Sequence, residues 1–102
     1  MTNEQVALVS KALAHPARVR IVKLLAAQTE CRGREVFSEL ELAQSTVSEH
    51  LRLLKAAGLV NAAPVGTAMV YCLVKSVLDD YRRAIDMIAS SAAVCSSVGG
   101  GC

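Results

Sequence analysis

Gln44-Ser-Thr-Val-Ser-Glu-His-Leu-Arg-Leu-Leu-Lys-Ala-Ala-Gly58 decides the fold. Val47, Leu51 and Leu54 recur at i, i+4 and i+7, the signature of a helix with one buried seam. That seam turns Ser45, Thr46, Ser48, Glu49 and Arg52 outward. Gly58 is a natural C-terminal stop, and Lys55 suits the negative end of the helix. The stretch therefore predicts a helix from Gln44 to Lys55 with short polar side chains along its front half.

The flanking sequence places this helix in a larger order. Upstream, the break Glu41 to Ala43 separates it from a short helix, Arg34 to Leu40, whose buried side is Val36, Phe37 and Leu40. Before a polar turn, Thr29 to Gly33, a helix runs from Pro16 to about Gln28, with Arg18, Arg20 and Lys23 between Val19, Val22, Leu24 and Leu25. Glu4 to Ala14 forms the first helix through Val6, Val9 and Leu13, and ends where Pro16 disfavours helix in His15. Downstream, Leu59 to Ala63 and Ala68 to Val74 are β-prone runs joined by Pro64 to Thr67, a hairpin. Ser76 is expected to cap a last helix, with Asp79 three residues on and a stripe of Leu78, Tyr81, Ile85, Ile88 and Ala92. The order α-α-α-α-β-β-α is that of a winged helix-turn-helix, a mainly α fold with one β-hairpin. It occupies residues 1–93 and leaves 94–102 as an expected flexible, cysteine-containing tail. The first and last helices each carry apolar surface that so small a domain leaves uncovered, which predicts a homodimer through that pair.

Composition agrees. The chain has 102 residues, 53% of them hydrophobic, with one Phe, two Tyr and no Trp, which favours one helical core over an aromatic-rich sandwich. No apolar run approaches the roughly 20 residues of a membrane span, and Met1 to Gln5 lacks the basic and apolar regions of a signal peptide. The expectation is a cytoplasmic protein with no membrane partner, whose four cysteines are thiols or metal ligands rather than a disulfide framework. No Gly-rich phosphate loop is present, and His15 and His50 form no acid-base cluster, so no enzyme is expected.

A net charge of +2 does not by itself indicate nucleic acid, so the distribution of side chains must decide. Gln44, Ser45, Thr46, Ser48, Glu49, Arg52 and Lys55 are the candidate contacts to double-stranded operator DNA. Gln pairs with adenine, hydroxyls pair with several bases, and the positive helix end attracts phosphate. An ordinary amphipathic helix with a solvated polar face is the alternative. Glu49 repels phosphate unless it accepts from a cytosine amino group or pairs with Arg52. His50 borders the buried seam and reads as a core histidine. The loop Pro64 to Thr67 has no Lys or Arg, so Arg18, Arg20, Lys23, Arg32, Arg34, Arg52 and Lys55 must supply the salt-dependent part of binding.

His15-Pro-Ala-Arg-Val-Arg-Ile21 with Leu24-Leu25, and Leu42-Ala-Gln-Ser-Thr-Val-Ser-Glu-His-Leu51 with Leu54-Lys-Ala-Ala-Gly-Leu-Val60, resemble the ArsR/SmtB family of metalloregulatory repressors. The resemblance runs from about Gln5 to Asp86. It implies a dimeric repressor, without a prosthetic group, that leaves its operator when an inducer binds. Two inducer sites of that family fit poorly. The last helix offers Asp79, Asp80 and Asp86 but no histidine for zinc, and Cys31 stands alone before Arg32 where another type has Cys-x-Cys. What the resemblance leaves is Cys95 and Cys102, whose Ser/Gly-rich spacer lets two thiolates close on one soft centre. Trivalent arsenic or antimony, as arsenite, antimonite or an organoarsenical, is the implied inducer. Similar arsenite sensors use three C-terminal cysteines, whereas Ser96 follows Cys95 here. The third ligand is then Cys31 or a partner-chain thiol, or the inducer is an organoarsenical needing two sulfurs. Cys72 reads as a small buried hydrophobe, and Cys31, beside Arg32 and Arg34, as a candidate reactive thiol. A reversible Cys95–Cys102 disulfide, a heavy-metal-binding protein without an operator, and incidental tail cysteines stay open.

Overall fold

A computed structural model describes residues 1–93. Four α-helices, α1 (Asn3–Leu13), α2 (Pro16–Ala26), α3 (Gln44–Ala56) and α4 (Lys75–Ser91), are joined by a 3-10 helix (Arg34–Leu40) between α2 and α3 and a hairpin of β1 (Val60–Val65) and β2 (Ala68–Leu73) between α3 and α4. The architecture is the mainly helical, winged helix-turn-helix arrangement expected.

Local chemistry sets the boundaries. Thr2 and Gln5 form a capping box at the start of α1, a Thr-x-x-Gln signal the periodicity of Val6 and Val9 does not use. Pro16 opens α2, and the His15 ring accepts the amide of Ala17 through Nδ1 at 3.0 Å. At the end of α3, Gly58 takes φ 78° and donates to the Lys55 carbonyl, while Leu59 donates to that of Leu54. These two bonds make a Schellman motif, a conformation that favours Gly at position 58. The chain leaves α3 straight into β1, whose antiparallel register runs from Val60 opposite Leu73 to Val65 opposite Ala68. Gly66 and Thr67 form the two-residue turn, with positive φ only at Gly66, the pattern of a type II′ turn.

Two expectations at element ends are corrected. The segment before α3 is 3-10 rather than α-helical, ending at Glu41 in a left-handed conformation with φ 55°. The Ser76 cap does not form, because α4 begins two residues earlier than that cap implies, at Lys75, with Val74 as an uncapped N-cap. Asp79 instead accepts from Lys75 at 2.8 Å.

The core gathers Val9, Ile21, Leu25, Phe37, Leu40, Val47, Leu51, Leu54, Leu59, Val60 and Tyr71. Leu54 and Ile21 are completely buried. Burying each such side chain contributes about 1.5–3 kcal/mol, which fastens α3 to α2 and to the hairpin. α4 differs, since none of its 17 residues is buried, and Ile85, Met87 and Ile88 stand exposed near its end. It meets α1 through a 2.8 Å hydrogen bond between Ser10 and Tyr81.

A second strand-like contact lies outside the hairpin. Arg32 and Tyr71 exchange both backbone hydrogen bonds, at 3.1 and 2.7 Å, pinning the loop before the 3-10 helix to β2. One residue further on each side, Cys31 and Cys72 form a disulfide with their Cα atoms 4.6 Å apart. This corrects three expectations together: the pair are not thiols, Cys72 is half-buried rather than a core hydrophobe, and Cys31 in this state offers no thiolate as a third ligand. The cause is the bridge at Arg32 and Tyr71, a pairing of residues distant in the chain.

Candidate nucleic-acid interface

α3 presents one continuous polar face. Val47, His50, Leu51 and Leu54 are buried, while Gln44, Ser45, Thr46, Ser48, Glu49, Arg52 and Lys55 are all exposed. The expected candidate contacts thus lie together on the solvent side of one helix. The N-cap is Ala43, which has no side chain able to cap, and the first turn holds no acidic residue. The first helical hydrogen bond is from Val47 to the Ala43 carbonyl, so the amides of Gln44, Ser45 and Thr46 point out of the helix end without helical partners. Such an end is suited to a phosphate.

Two arginines, Arg52 and Arg34, are held in place on that face, and a third, Arg18, leaves it. Arg52 grips the Glu49 carboxylate through Nε, at 3.0 Å, and through Nη2. That hydrogen bond holds the Glu49 carboxyl below its ordinary range and raises the Arg52 guanidinium, so Glu49 is a neutralised partner rather than a bare charge against phosphate. Arg34 donates to the Ser48 hydroxyl at 2.9 Å and lies 5.8 Å from the centre of the Tyr71 ring, which orients Ser48 from the preceding helix. Arg18 turns inward, donating to the Ala12 carbonyl at 2.6 Å and approaching His50 Nδ1 at 3.2 Å. It is removed from the set of residues expected to meet phosphate. Arg32 lies 3.7 Å from Glu35. Among the described residues Arg20, Lys23 and Lys55 have no ion-pair partner.

His50 is the core histidine expected, 8% exposed and 4.6 Å from the His15 ring, centre to centre. Burial pushes its imidazole below the ordinary value, and the charges of His15 and Arg18 push it further against an opposing pull from Glu49. The unfolded chain therefore binds the proton more readily than the folded one, so stability rises with pH across this titration. Acidification below about 6.5 is expected to lower the melting temperature progressively until the folded-state value is passed. In a melting series across that window, His50→Gln should flatten the dependence; an unchanged slope would assign it to another group.

Two of the three acidic residues of α4, a helix that offers no histidine for zinc, are held in ion pairs. Asp79 pairs with Lys75 and Arg82, and Asp80 with Arg83, along α4. The Lys75 hydrogen bond lowers the Asp79 carboxyl further. No group of three His, Cys, Asp or Glu side chains fit to hold a metal occurs among the described residues. Cys95 and Cys102 lie outside the described residues. Among the described residues no helix is long and apolar enough to cross a membrane. The Arg34–Ser48 and Arg18–His50 links were missed in the sequence because neither follows a helical or strand spacing.

Residues 15–62 match the bacterial regulatory protein family arsR. An uncharacterized HTH-type transcriptional regulator of Methanocaldococcus jannaschii is 35% identical over 83 residues, covering 81% of this chain and 93% of that protein. Another, from Mycobacterium tuberculosis, is 41% identical over 63 residues, covering 62% of this chain; the chain spans about half that relative's length, 55%. The homodimeric winged helix-turn-helix DNA-binding domain of a possible ArsR-family regulator from Mycobacterium bovis superimposes with a TM-score of 0.67 at 32% identity, covering 85% of this chain and 80% of that one.

Proposed function

The chain belongs to the arsR family of bacterial regulatory proteins, and on that premise we propose that it is a homodimeric transcriptional repressor that releases operator DNA when trivalent arsenic binds cysteine thiolates. The observation that carries the DNA-binding part is the polar face of α3, with its uncapped, acid-free N-terminus and its buried Val47–Leu54 seam. Two such helices related by a two-fold axis enter successive major grooves about one helical turn apart. The dimer forms through α1 and α4, where Leu8, Ile85, Met87 and Ile88 are exposed apolar side chains in the single chain. The M. bovis domain, described as homodimeric, supports dimerisation as such.

The inducer is a trivalent arsenic or antimony species held by Cys95 and Cys102. Two soft thiolates, 4 and 11 residues beyond the last residue of α4 in the sequence, favour such a centre over hard ions. The paired state of Asp79 and Asp80 disfavours a competing zinc site on α4. The test begins with a duplex selected from random DNA by the full-length protein and titrated with and without arsenite. Arsenite should weaken binding about 5- to 150-fold, the usual range of allosteric coupling, and Cys95→Ser should remove that response. Affinity indifferent to arsenite would sink the inducer. No sequence preference in the selected DNA would sink the repressor.

A further inference from the structure

Cys31 and Cys72 join the loop before the 3-10 helix to the second strand of the hairpin, and they lie in the wall of a surface cavity of about 540 Å³. Leu25, Leu73 and Leu78 give that cavity an apolar part, and the charged Glu30, Lys75, Asp79 and Arg82 complete its wall. We propose that these two cysteines, once reduced, form a site for one monosubstituted trivalent arsenical, bound through both sulfurs with its organic group in the cavity. The inference rests on the reading that a thiophilic arsenic species is the inducer, but it assigns a site independent of Cys95 and Cys102.

The backbone keeps the pair together after reduction. Arg32 and Tyr71, each adjacent to one of the cysteines, hold their two strands with reciprocal hydrogen bonds that do not involve sulfur. The two Cα atoms are 4.6 Å apart, so little chain entropy is lost when both thiols close on one atom. The ligand class follows from what is missing around them. Tetrahedral zinc or cadmium needs further donors, and no third His, Cys, Asp or Glu completes such a set among the described residues. A linear two-coordinate ion needs sulfurs on opposite sides, whereas these come from neighbouring strands on one side. A pyramidal centre takes two adjacent sulfurs and keeps one substituent, which the leucine-lined part of the cavity accommodates.

The chemistry balances. A dithiol reductant gives two electrons and two protons to the disulfide and leaves as its own cyclic disulfide. The arsenical R–As(OH)₂ then forms two As–S bonds and loses two As–O bonds, each thiol proton leaving with a hydroxide as water, and arsenic stays trivalent. The bound centre reaches α3 by a short route: Cys72 adjoins Tyr71, Tyr71 faces Arg34, and Arg34 holds the Ser48 hydroxyl.

The test uses the full chain carrying Cys95→Ser and Cys102→Ser, reduced with dithiothreitol, desalted anaerobically and mixed with phenylarsine oxide. Native mass spectrometry should find one phenylarsenic group per chain. Adding Cys31→Ser, a change at an exposed position checked by thermal melting, should abolish the adduct. Absence of an adduct on the reduced double variant overturns the site, as does an adduct that survives Cys31→Ser. If the unsubstituted protein alone forms an adduct, this site is overturned while the tail reading stands. If neither protein does, both fail.

Discussion

Ser45→Glu combined with Thr46→Glu is expected to weaken binding to the selected duplex by about two to four orders of magnitude. Both residues are exposed in the first turn of α3, where amides without helical partners and the positive helix end face outward. Each replacement removes a hydroxyl suited to base edges and sets a carboxylate against phosphate. The fold should respond in the opposite direction. α3 has no acidic residue in its first turn, and a carboxylate there stabilises a helix by about 0.3–1 kcal/mol. Fluorescence anisotropy and thermal melting on the same variant separate the effects. Lost DNA binding with an unchanged or raised melting temperature is the predicted pair of results. Retained affinity would mean that α3 does not face the duplex.

The second large effect concerns α4. Ile85→Asp with Ile88→Asp should convert the protein to monomer in sedimentation and lower DNA affinity about a hundredfold or more. Both side chains are exposed in the single chain, at 41% and 63%, so their loss leaves its core intact. A dimer joins two recognition helices, making the second contact effectively intramolecular. Severing it returns each helix to binding alone. A variant that remains dimeric would place the interface elsewhere.

The elements that sequence revealed most clearly are those defined by their own neighbours. The seam of Val47, Leu51 and Leu54 and the stop at Gly58 are local patterns, and α3 follows them closely. The hairpin is likewise written in two β-prone runs and a glycine. Ser76 misled because the helix takes in both Lys75 and Ser76, and the Lys75 ammonium, rather than a capping hydroxyl, finds Asp79. The 3-10 winding of Arg34–Leu40 was hidden because 3-10 and α-helices share similar apolar spacing over so short a stretch. The candidate DNA face was legible as a list of exposed residues, but its organisation was not. Arg18 departs from it to satisfy Ala12 and His50, and Arg34 reaches across to Ser48. The Cys31–Cys72 pairing spans 41 residues and is set by a backbone bridge, which no periodicity encodes.

The hairpin tip has a consequence for how such a protein diversifies. Residues 63–69 are all exposed, and apart from its two chain neighbours nothing lies within 4 Å of where a side chain on Gly66 would begin. Around that glycine, whose positive φ preserves the turn, neighbours can be exchanged, lengthened or given positive charge with little disturbance to the packed domain. Changes in α3 are constrained on its other side by Leu51 and Leu54, and changes near Ser48 must accommodate Arg34. The tip can therefore change in length and charge while the packed domain and the exposed face of α3 stay as they are, two properties that would otherwise have to evolve together.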